Sequence, residues 1–300
     1  MSDARAASEA PSAVAQRVAP RRGRLGYFLR RNPRVLLGGG VVVALLVIAL
    51  LAPWLVPYDP IDVDPSQGLD APSFKHLLGT DDLGRDVFSR VVLGSRISLS
   101  VGIISVCIGL VVGVSIGLAA GYLGGAVDLL AMRVIDALLA FPALLLAISI
   151  TAALGPQIWN AMIAIGIVAI PAYTRLTRAQ VLSVREREYV TATRAVGATS
   201  WRIVTRHILP NISNSLVVQA SLSTAFAILA EASLSFLGLG AQPPTPSWGQ
   251  DINYSQRYLT NMLWWMSAGP GIAIFLAVLS FNFLGDALRD ALDPHLSRRA

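Results

Sequence analysis

Six apolar runs, each long enough to be read as a crossing of a lipid bilayer, constrain this chain more than any other feature. A helix needs about 20 mostly apolar residues to traverse the hydrocarbon core, where no water is present to satisfy exposed backbone groups. The runs extend approximately over 36–56, 97–120, 129–154, 158–173, 216–237 and 267–288. The fourth is the shortest and is interrupted by Pro171. A water-soluble domain carries roughly a quarter of its residues as charges; here 14% are charged and the mean hydropathy is +0.60. The expectation is an all-α membrane protein with six transmembrane helices.

The pattern divides the chain into a basic N-terminal tail (1–34), a first transmembrane helix (35–57) and an extracytoplasmic loop (58–95). A core transmembrane domain follows over 96–290, interrupted by a cytoplasmic segment at 185–211, and a short tail covers 291–300. Orientation comes from the basic residues. With six crossings, 18 of the 24 lie on one side: in the N-terminal tail, between the fourth and fifth spans, and at the C-terminal end. Cytoplasmic loops carry such an excess, so both termini are expected in the cytoplasm. Arg85, Arg90 and Arg96 lie on the opposite side, among Asp59, Asp62, Asp64, Asp70, Asp81, Asp82 and Asp86. A net charge of +6 then reads as an orientation signal, not as a nucleic-acid surface. The Arg-rich start resembles a signal peptide, but its apolar run is too long and lacks a small-residue cleavage site. Arg21-Arg22 reads as orientation charge ahead of a span, not as a twin-arginine address.

Several local patterns imitate chemistry. Gly113-Val-Ser-Ile-Gly117 fits the G-x-S-x-G elbow of serine hydrolases, but it lies inside an apolar helix, and His76, His207 and His295 all lie outside the spans. Asp62, Asp64 and Ser66 imitate the start of a calcium loop, with the glycine misplaced and the closing Glu absent. The single Cys107 excludes an internal disulfide and a multi-cysteine metal site. The sole lysine, Lys75, is not in a G-x-x-x-x-G-K-[ST] loop, so no ATP site of that kind is present.

Within the second span Gly109, Gly113, Gly117 and Gly121 recur at every fourth residue, which predicts a face where another helix backbone approaches closely. A pore-lining glycine face is the alternative. Ionisable residues inside spans are few. Arg133 and Asp136, three apart, are expected to pair along one helix face. Asp286 and Asp290 are expected to cap or pair near the end of the last span. Glu231 has no evident partner within a turn, and is expected to pair with another helix or subunit or to line a gate. Gln219, Ser223, Thr224 and Asn282 are further candidates for a translocation path.

The stretch from Arg185 to Asn211 carries the most information. It predicts one short helix over about 188–196, terminated by Gly197, which tolerates positive φ. A second helix, capped by Thr199 or Ser200, is expected to run to just before Pro210. Tyr189, Val190, Thr193 and Val196, with Ala192 and Ala195 beside them, make an apolar side that Trp201, Val204 and Ile208 continue.

This stretch resembles the coupling loop of permease subunits of type I ABC importers, whose form is E-A-A, three residues, Gly, nine residues, I-x-L-P. Thr191-Ala-Thr193, Gly197 and His207-Ile-Leu-Pro210 occupy those places. Thr191 replaces the Glu and His207 the first Ile; Glu188 lies one turn before Thr191 and is a candidate substitute. The segments 76–96, Leu234-Ser-Phe-Leu-Gly-Leu-Gly240, Trp248-Gly249 and 285–294 are similar to the C-type permeases of the dipeptide/oligopeptide (Dpp/Opp) group, which nickel and glutathione importers share. The resemblance implies a MetI-like transmembrane fold and a non-catalytic permease in a bacterial plasma membrane. It implies a second, B-type permease, two ATPase subunits that bind ATP and Mg, and an extracytoplasmic binding protein. It places Glu188, Tyr189, Thr191, Ala192, Ala195, Gly197, Ala198, Trp201, Leu209 and Pro210 on the surface that engages the ATPase. No cofactor is expected on this chain, and membrane lipid is expected around it. A secondary transporter or channel subunit is the alternative class, and it predicts internal repeats or charged mid-membrane relays; neither is present in the sequence. An intramembrane enzyme is a third, disfavoured because no histidine or metal cluster lies within the spans.

Overall fold

The computed structural model of the protein describes residues 33–292. The expectations for the basic tail before residue 33, and for the chain after 292, lie outside the described residues. The described residues fold as helices, and five of these have the length and apolar content to cross a membrane, or six spans if a bent pair is counted as one. They are α1 (Pro33–Leu55), α2 (Val87–Leu123), the pair α3 (Gly125–Leu139) and α4 (Ala143–Leu154), α5 (Ile158–Arg185), α8 (Leu209–Phe236) and α10 (Trp265–Leu292). Short helices α6 (Glu188–Ala195) and α7 (Ser200–Ile203) precede α8, and α9 (Trp248–Ser255) lies between α8 and α10. The end of the bundle that carries residues 185–211 is called the lower end below.

The central contact is between α2 and α5. Added Cβ atoms at Gly109, Gly113 and Gly117 of α2 would lie 2.7, 2.7 and 2.6 Å from the Cβ atoms of Ala169, Tyr173 and Thr177. At Gly121 the corresponding neighbour is Val181 Cβ, 2.9 Å away. The offset is constant along both helices, so they run parallel and in register, each missing side chain admitting one α5 residue. Gly166 returns the arrangement by admitting Ile108 of α2 at 2.8 Å. The glycine stripe is therefore a packing face buried under α5, not the wall of a pore. Ser115, the middle residue of the hydrolase-like pattern, donates its hydroxyl to the Val111 carbonyl at 2.7 Å within the same helix.

Four boundaries differ from expectation. Helix α2 begins at Val87, ten residues before the apolar run, because Asp86 caps it by accepting from Ser89 N at 2.8 Å. Helix α5 passes through Pro171 without ending and continues to Arg185. The expected third span is not one helix. It breaks between Leu139 and Ala143, and the two pieces meet at 90°. Pro142 has no N–H to donate and disfavours helical geometry at Phe141, which accounts for the break. The second helix of the 185–211 stretch does not stop before Pro210. It widens into a π-helical turn over Val204–Ile208 and runs on into α8. Pro210 cannot donate to the Arg206 carbonyl, and the wider turn absorbs that missing bond, Leu209 N bonding back to Val204 O.

The α3 charges are also partnered differently. Asp136 pairs with Arg175 of α5 at 2.5 Å, not with Arg133, and Asp128 accepts from Arg178 Nη2 at 2.6 Å. Eight residues separate the two aspartates, about 12 Å along α3, whereas three residues separate the arginines, about 4.5 Å along α5. Helix α3 therefore crosses α5 steeply near the lower end. Asp286 is exposed and, like Asp290, makes no ion pair among the described residues.

At the upper end the segment 56–86 folds back on α2 and on the turn before α9. Gly84 (φ +75°) sits where a Cβ would overlap the Asp64 carbonyl at 1.8 Å, and only glycine fits there. Asp64 caps the Pro65–Gln67 turn, so the calcium-loop imitation is a local cap. Arg90 donates to Asp251 and to Pro60 O at 3.0 Å, Arg85 pairs with Asp81 at 2.6 Å, and His76 Nδ1 lies 2.9 Å from Asp86 Oδ1. These arginines are buried structural partners as well as charges on the upper side. Tyr258 donates its hydroxyl to Asp82 Oδ2 at 3.0 Å, a bond that raises the phenol above its usual pKa.

Replacing Gly117 with Ala should destabilise the purified protein by about 1–3 kcal/mol, the range for overpacking a tight contact. Gly40→Ala, where an added Cβ meets nothing within 4 Å, is the control. Thermal unfolding in detergent should show a lowered Tm for the first variant only.

Candidate functional site

Residues 185–208 form a bent hairpin at the lower end. Helix α6 stops at Ala195, and Gly197 turns the chain with φ +82° while nothing lies within 4 Å of where its Cβ would be. The glycine is thus required by backbone conformation and not by space. Thr199 caps α7 by accepting from Arg202 N at 3.4 Å. The apolar side splits in two. Val190, Ile203 and Ile208 are buried against the bundle, and Ala198 and Leu209 pack partly beside them. Val196 and Trp201 point the other way and are 84% and 77% exposed, with Tyr189 half covered at 39%. Ala192 and Ala195 are exposed on the same short helix.

Charged and aromatic contacts fix the hairpin to the bundle. Arg185 Nη1 donates to the Gly121 carbonyl at the end of α2 at 2.9 Å. The Arg194 guanidinium lies 5.9 Å from the centroid of the Tyr122 ring, and the Tyr189 and His207 rings are 6.3 Å apart. Glu188 begins α6, exposed, and forms no ion pair among the described residues; Thr191 donates only to the Arg187 carbonyl, at 3.5 Å. Pro210 lies in the first turn of α8 and is exposed.

The five path candidates do not come together. Gln219 and Ser223 line a cavity of about 240 Å³ with Ser105, Ala143, Ala172 and Phe226 among its other walls. Gln219 Nε2 donates to Ser223 Oγ at 3.2 Å. Thr224 is buried, donates to the Ala220 carbonyl at 2.8 Å, and turns its methyl group toward Gly102. Asn282 is half-buried on α10 and donates to the Val278 carbonyl at 2.8 Å. Glu231 is fully buried inside this one chain, and it does have a partner within a turn: Ser235 Oγ donates to its Oε1 at 2.8 Å. Its other carboxylate oxygen, Oε2, is buried without a hydrogen-bond partner among the described residues. A serine four residues on was the visible signal for that bond. Ser105 and Ala143 were not among the sequence candidates, because the break that brings Ala143 to the cavity depends on Pro142.

Comparison with known proteins places this geometry in a class. The family model described as binding-protein-dependent transport system inner membrane component matches residues 113–298. A dipeptide transport system permease protein DppC from Alkalihalophilus pseudofirmus is 45% identical over 268 residues, covering 89% of this chain and 88% of the relative. The di/tripeptide transport system permease protein DppC of Pseudomonas aeruginosa is 47% identical over 87% of this chain and 89% of its own length. A glutathione transport system permease protein GsiD from Pectobacterium atrosepticum is 45% identical over 90% and 89%. The inward-facing MetNI methionine ABC transporter contains a chain of similar fold, with TM-score 0.55, 20% identity, and coverage of 68% of this chain and 96% of that one. The chain belongs to the family of binding-protein-dependent transport inner membrane components and is a non-catalytic, multi-span permease of the ABC-importer type with a MetI-like fold. Residues 27–72 match the N-terminal transmembrane domain of oligopeptide transport permease C, which places it among the C-type permeases.

Gly197→Val forces a β-branched residue into positive φ, at a cost of about 1–3 kcal/mol; Gly197→Asn costs less because Asn tolerates that region. Hydrogen exchange across 188–208 should show faster exchange in the Val variant and near wild-type protection in the Asn variant.

Proposed function

We propose that this chain is one permease subunit of an ATP-driven importer that carries di- or oligopeptides, or a related small solute such as glutathione, into the cytoplasm. The observation that carries the mechanism is the hairpin at the lower end, which leaves Trp201 and Val196 uncovered on a frame held firmly from behind. Exposed aromatic anchors of this kind become binding hot spots when a partner encloses them. The partner is an ATPase subunit, and its groove takes Tyr189, Ala192, Ala195, Val196 and Trp201. ATP and Mg belong to two such subunits, and this chain holds no cofactor. A second, B-type permease completes the path, and an extracytoplasmic binding protein delivers the cargo to the upper end. The arginine distribution supports a plasma-membrane location with both termini and the hairpin in the cytoplasm. Nucleic acid has no place in this reading.

Mechanically, the hairpin has two rigid outlets. Closure of the ATPases displaces α6, which joins α5 across the short turn at Glu186–Arg187, and α7, which continues through the π turn into α8. Helices α5 and α8 both border the cavity that holds Gln219 and Ser223. A push at Trp201 thereby reaches the cavity wall along continuous helix.

Two measurements test this. In proteoliposomes holding both permeases, both ATPases and the binding protein, peptide uptake should require ATP hydrolysis. Uptake driven by this chain alone without ATP would instead make it a secondary transporter or channel. Trp201→Ala, whose side chain supports little of the fold, should leave Tm unchanged and lower uptake per ATP hydrolysed by about tenfold or more, a loss of about 1.4 kcal/mol or more at the docking surface.

A further inference from the structure

Helix α3 is separated from the hairpin in sequence by the whole of α4 and α5, yet the hairpin grips the joint from which α3 starts. Arg185, the last residue of α5, donates its Nη1 to the Gly121 carbonyl at 2.9 Å, while its Nε faces Glu186 Oε1 at 3.3 Å. Gly121 lies in the last turn of α2, where carbonyls have no partner within the helix, and a cation there also meets the negative end of the dipole. The next residue of α2, Tyr122, has its ring 5.9 Å from the Arg194 guanidinium of α6. Two arginines, one at the base of the hairpin and one on its first helix, thus hold two consecutive residues at the end of α2.

The joint itself is a pair of glycines. Gly124 closes α2 with φ +68° and ψ −157°, and Gly125 opens α3 with φ +56°. Nothing lies within 4 Å of where a Gly125 Cβ would be, and at Gly124 the one neighbour is Arg185 Nη1 at 4.0 Å. Consecutive glycines in open space can absorb a change of angle between two helices without a clash. Beyond the joint α3 is a 15-residue rod, about 22 Å long. It rests on α5 through Asp128–Arg178 near the joint and through the half-exposed Asp136–Arg175 pair further on. Exposed ion pairs hold weakly, so this seat does not lock the rod. Its far end breaks into α4 at Ala143, on the wall of the cavity that holds Gln219 and Ser223.

We propose that Arg185 is a positioning residue of the transport cycle, passing displacement of the hairpin through the end of α2 and the Gly124–Gly125 joint to α3, and so to the cavity wall at Ala143. The proposal rests on the importer reading above. It adds a third outlet, made by side chains, to the two that are continuous helix. Arg185 holds this role by its place, because one guanidinium nitrogen bonds the end of α2 and borders the joint.

The test uses the full complex in proteoliposomes, with Cys107→Ser as background. Spin labels are placed on Val43→Cys of α1 and on either Leu130→Cys of α3 or Val217→Cys of α8, all exposed positions. Distances are compared between nucleotide-free and ATP–vanadate-trapped complex. With Arg185 in place both distances should change on trapping. An unmoved Leu130 label there overturns the proposal, however well any Arg185 variant folds. In Arg185→Ala the Leu130 change should be lost and the Val217 change kept, because α8 is driven through the π turn. Retention of both changes overturns the proposal, and so does loss of both, which would make Arg185 a support of the hairpin alone. Peptide uptake per ATP hydrolysed should fall about fivefold or more in Arg185→Ala, the lower end for coupling between distant sites. Unchanged uptake per ATP overturns the proposal. Failure of wild-type complex to import any peptide with ATP would instead overturn the importer reading.

Discussion

Helices in lipid gain little by burying apolar side chains, since the solvent is itself apolar, so close backbone approach must supply much of the cohesion. In this protein that approach is concentrated in the seam between α2 and α5. From Gly109 to Gly121 each glycine admits one residue of α5, and Gly166 admits Ile108 in return. The seam sets the axial register of two of the longest helices, and the rest of the lower end depends on it. Because Gly121 lies opposite Val181, Arg185 one turn further on reaches the Gly121 carbonyl. Arg175 and Arg178 are likewise presented to the aspartates of the crossing helix α3. A slip of one turn in the seam would separate all three arginines from their partners.

The two ends of the bundle use charge differently. At the lower end Arg175 and Asp136 are half exposed and their pair is weak in energy, serving mainly to hold α3 across α5. At the upper end Arg85, Arg90, Asp81 and Asp251 are almost fully buried, where losing one partner would strand the other. Burial of Asp251, opposed by the facing Arg90, pushes its carboxyl above the usual carboxylate range. The upper segment is thus a packed lobe joined to α2, α9 and α10, while the lower hairpin stands clear of the bundle on one side. A rigid lobe at one end and an exposed hairpin on continuous helices at the other suit a part that must transmit displacement along its length.

Much of the hairpin was legible because its determinants are local. Gly197 stops one helix and Thr199 caps the next through contacts spanning three residues or fewer, and such contacts follow from residue type. The Glu231–Ser235 bond and the break at Pro142 were equally local and were present as signals, an acid with a serine one turn on and a proline inside an apolar run. The apolar run concealed the break, because hydropathy averages over the very residues whose geometry changes. Pro171 and Pro210 show the opposite case. Both looked like helix ends, yet α5 runs through the first and a widened π turn before the second carries the helix on.

The amino-acid sequence by itself determined the all-helical membrane class, the small-residue face of α2, the bend at Gly197 and the family to which the chain belongs. Each depends on residue type and on spacing within a turn or two of helix. Only the tertiary structure decided that Asp136 meets Arg175 and not Arg133, that Glu231 is enclosed within its own chain, and that Ala143, Ser105, Gln219 and Ser223 border one cavity. Those outcomes depend on the angles at which helices cross. The crossing angles follow from how the whole set of helices packs, and no single stretch of sequence contains that information.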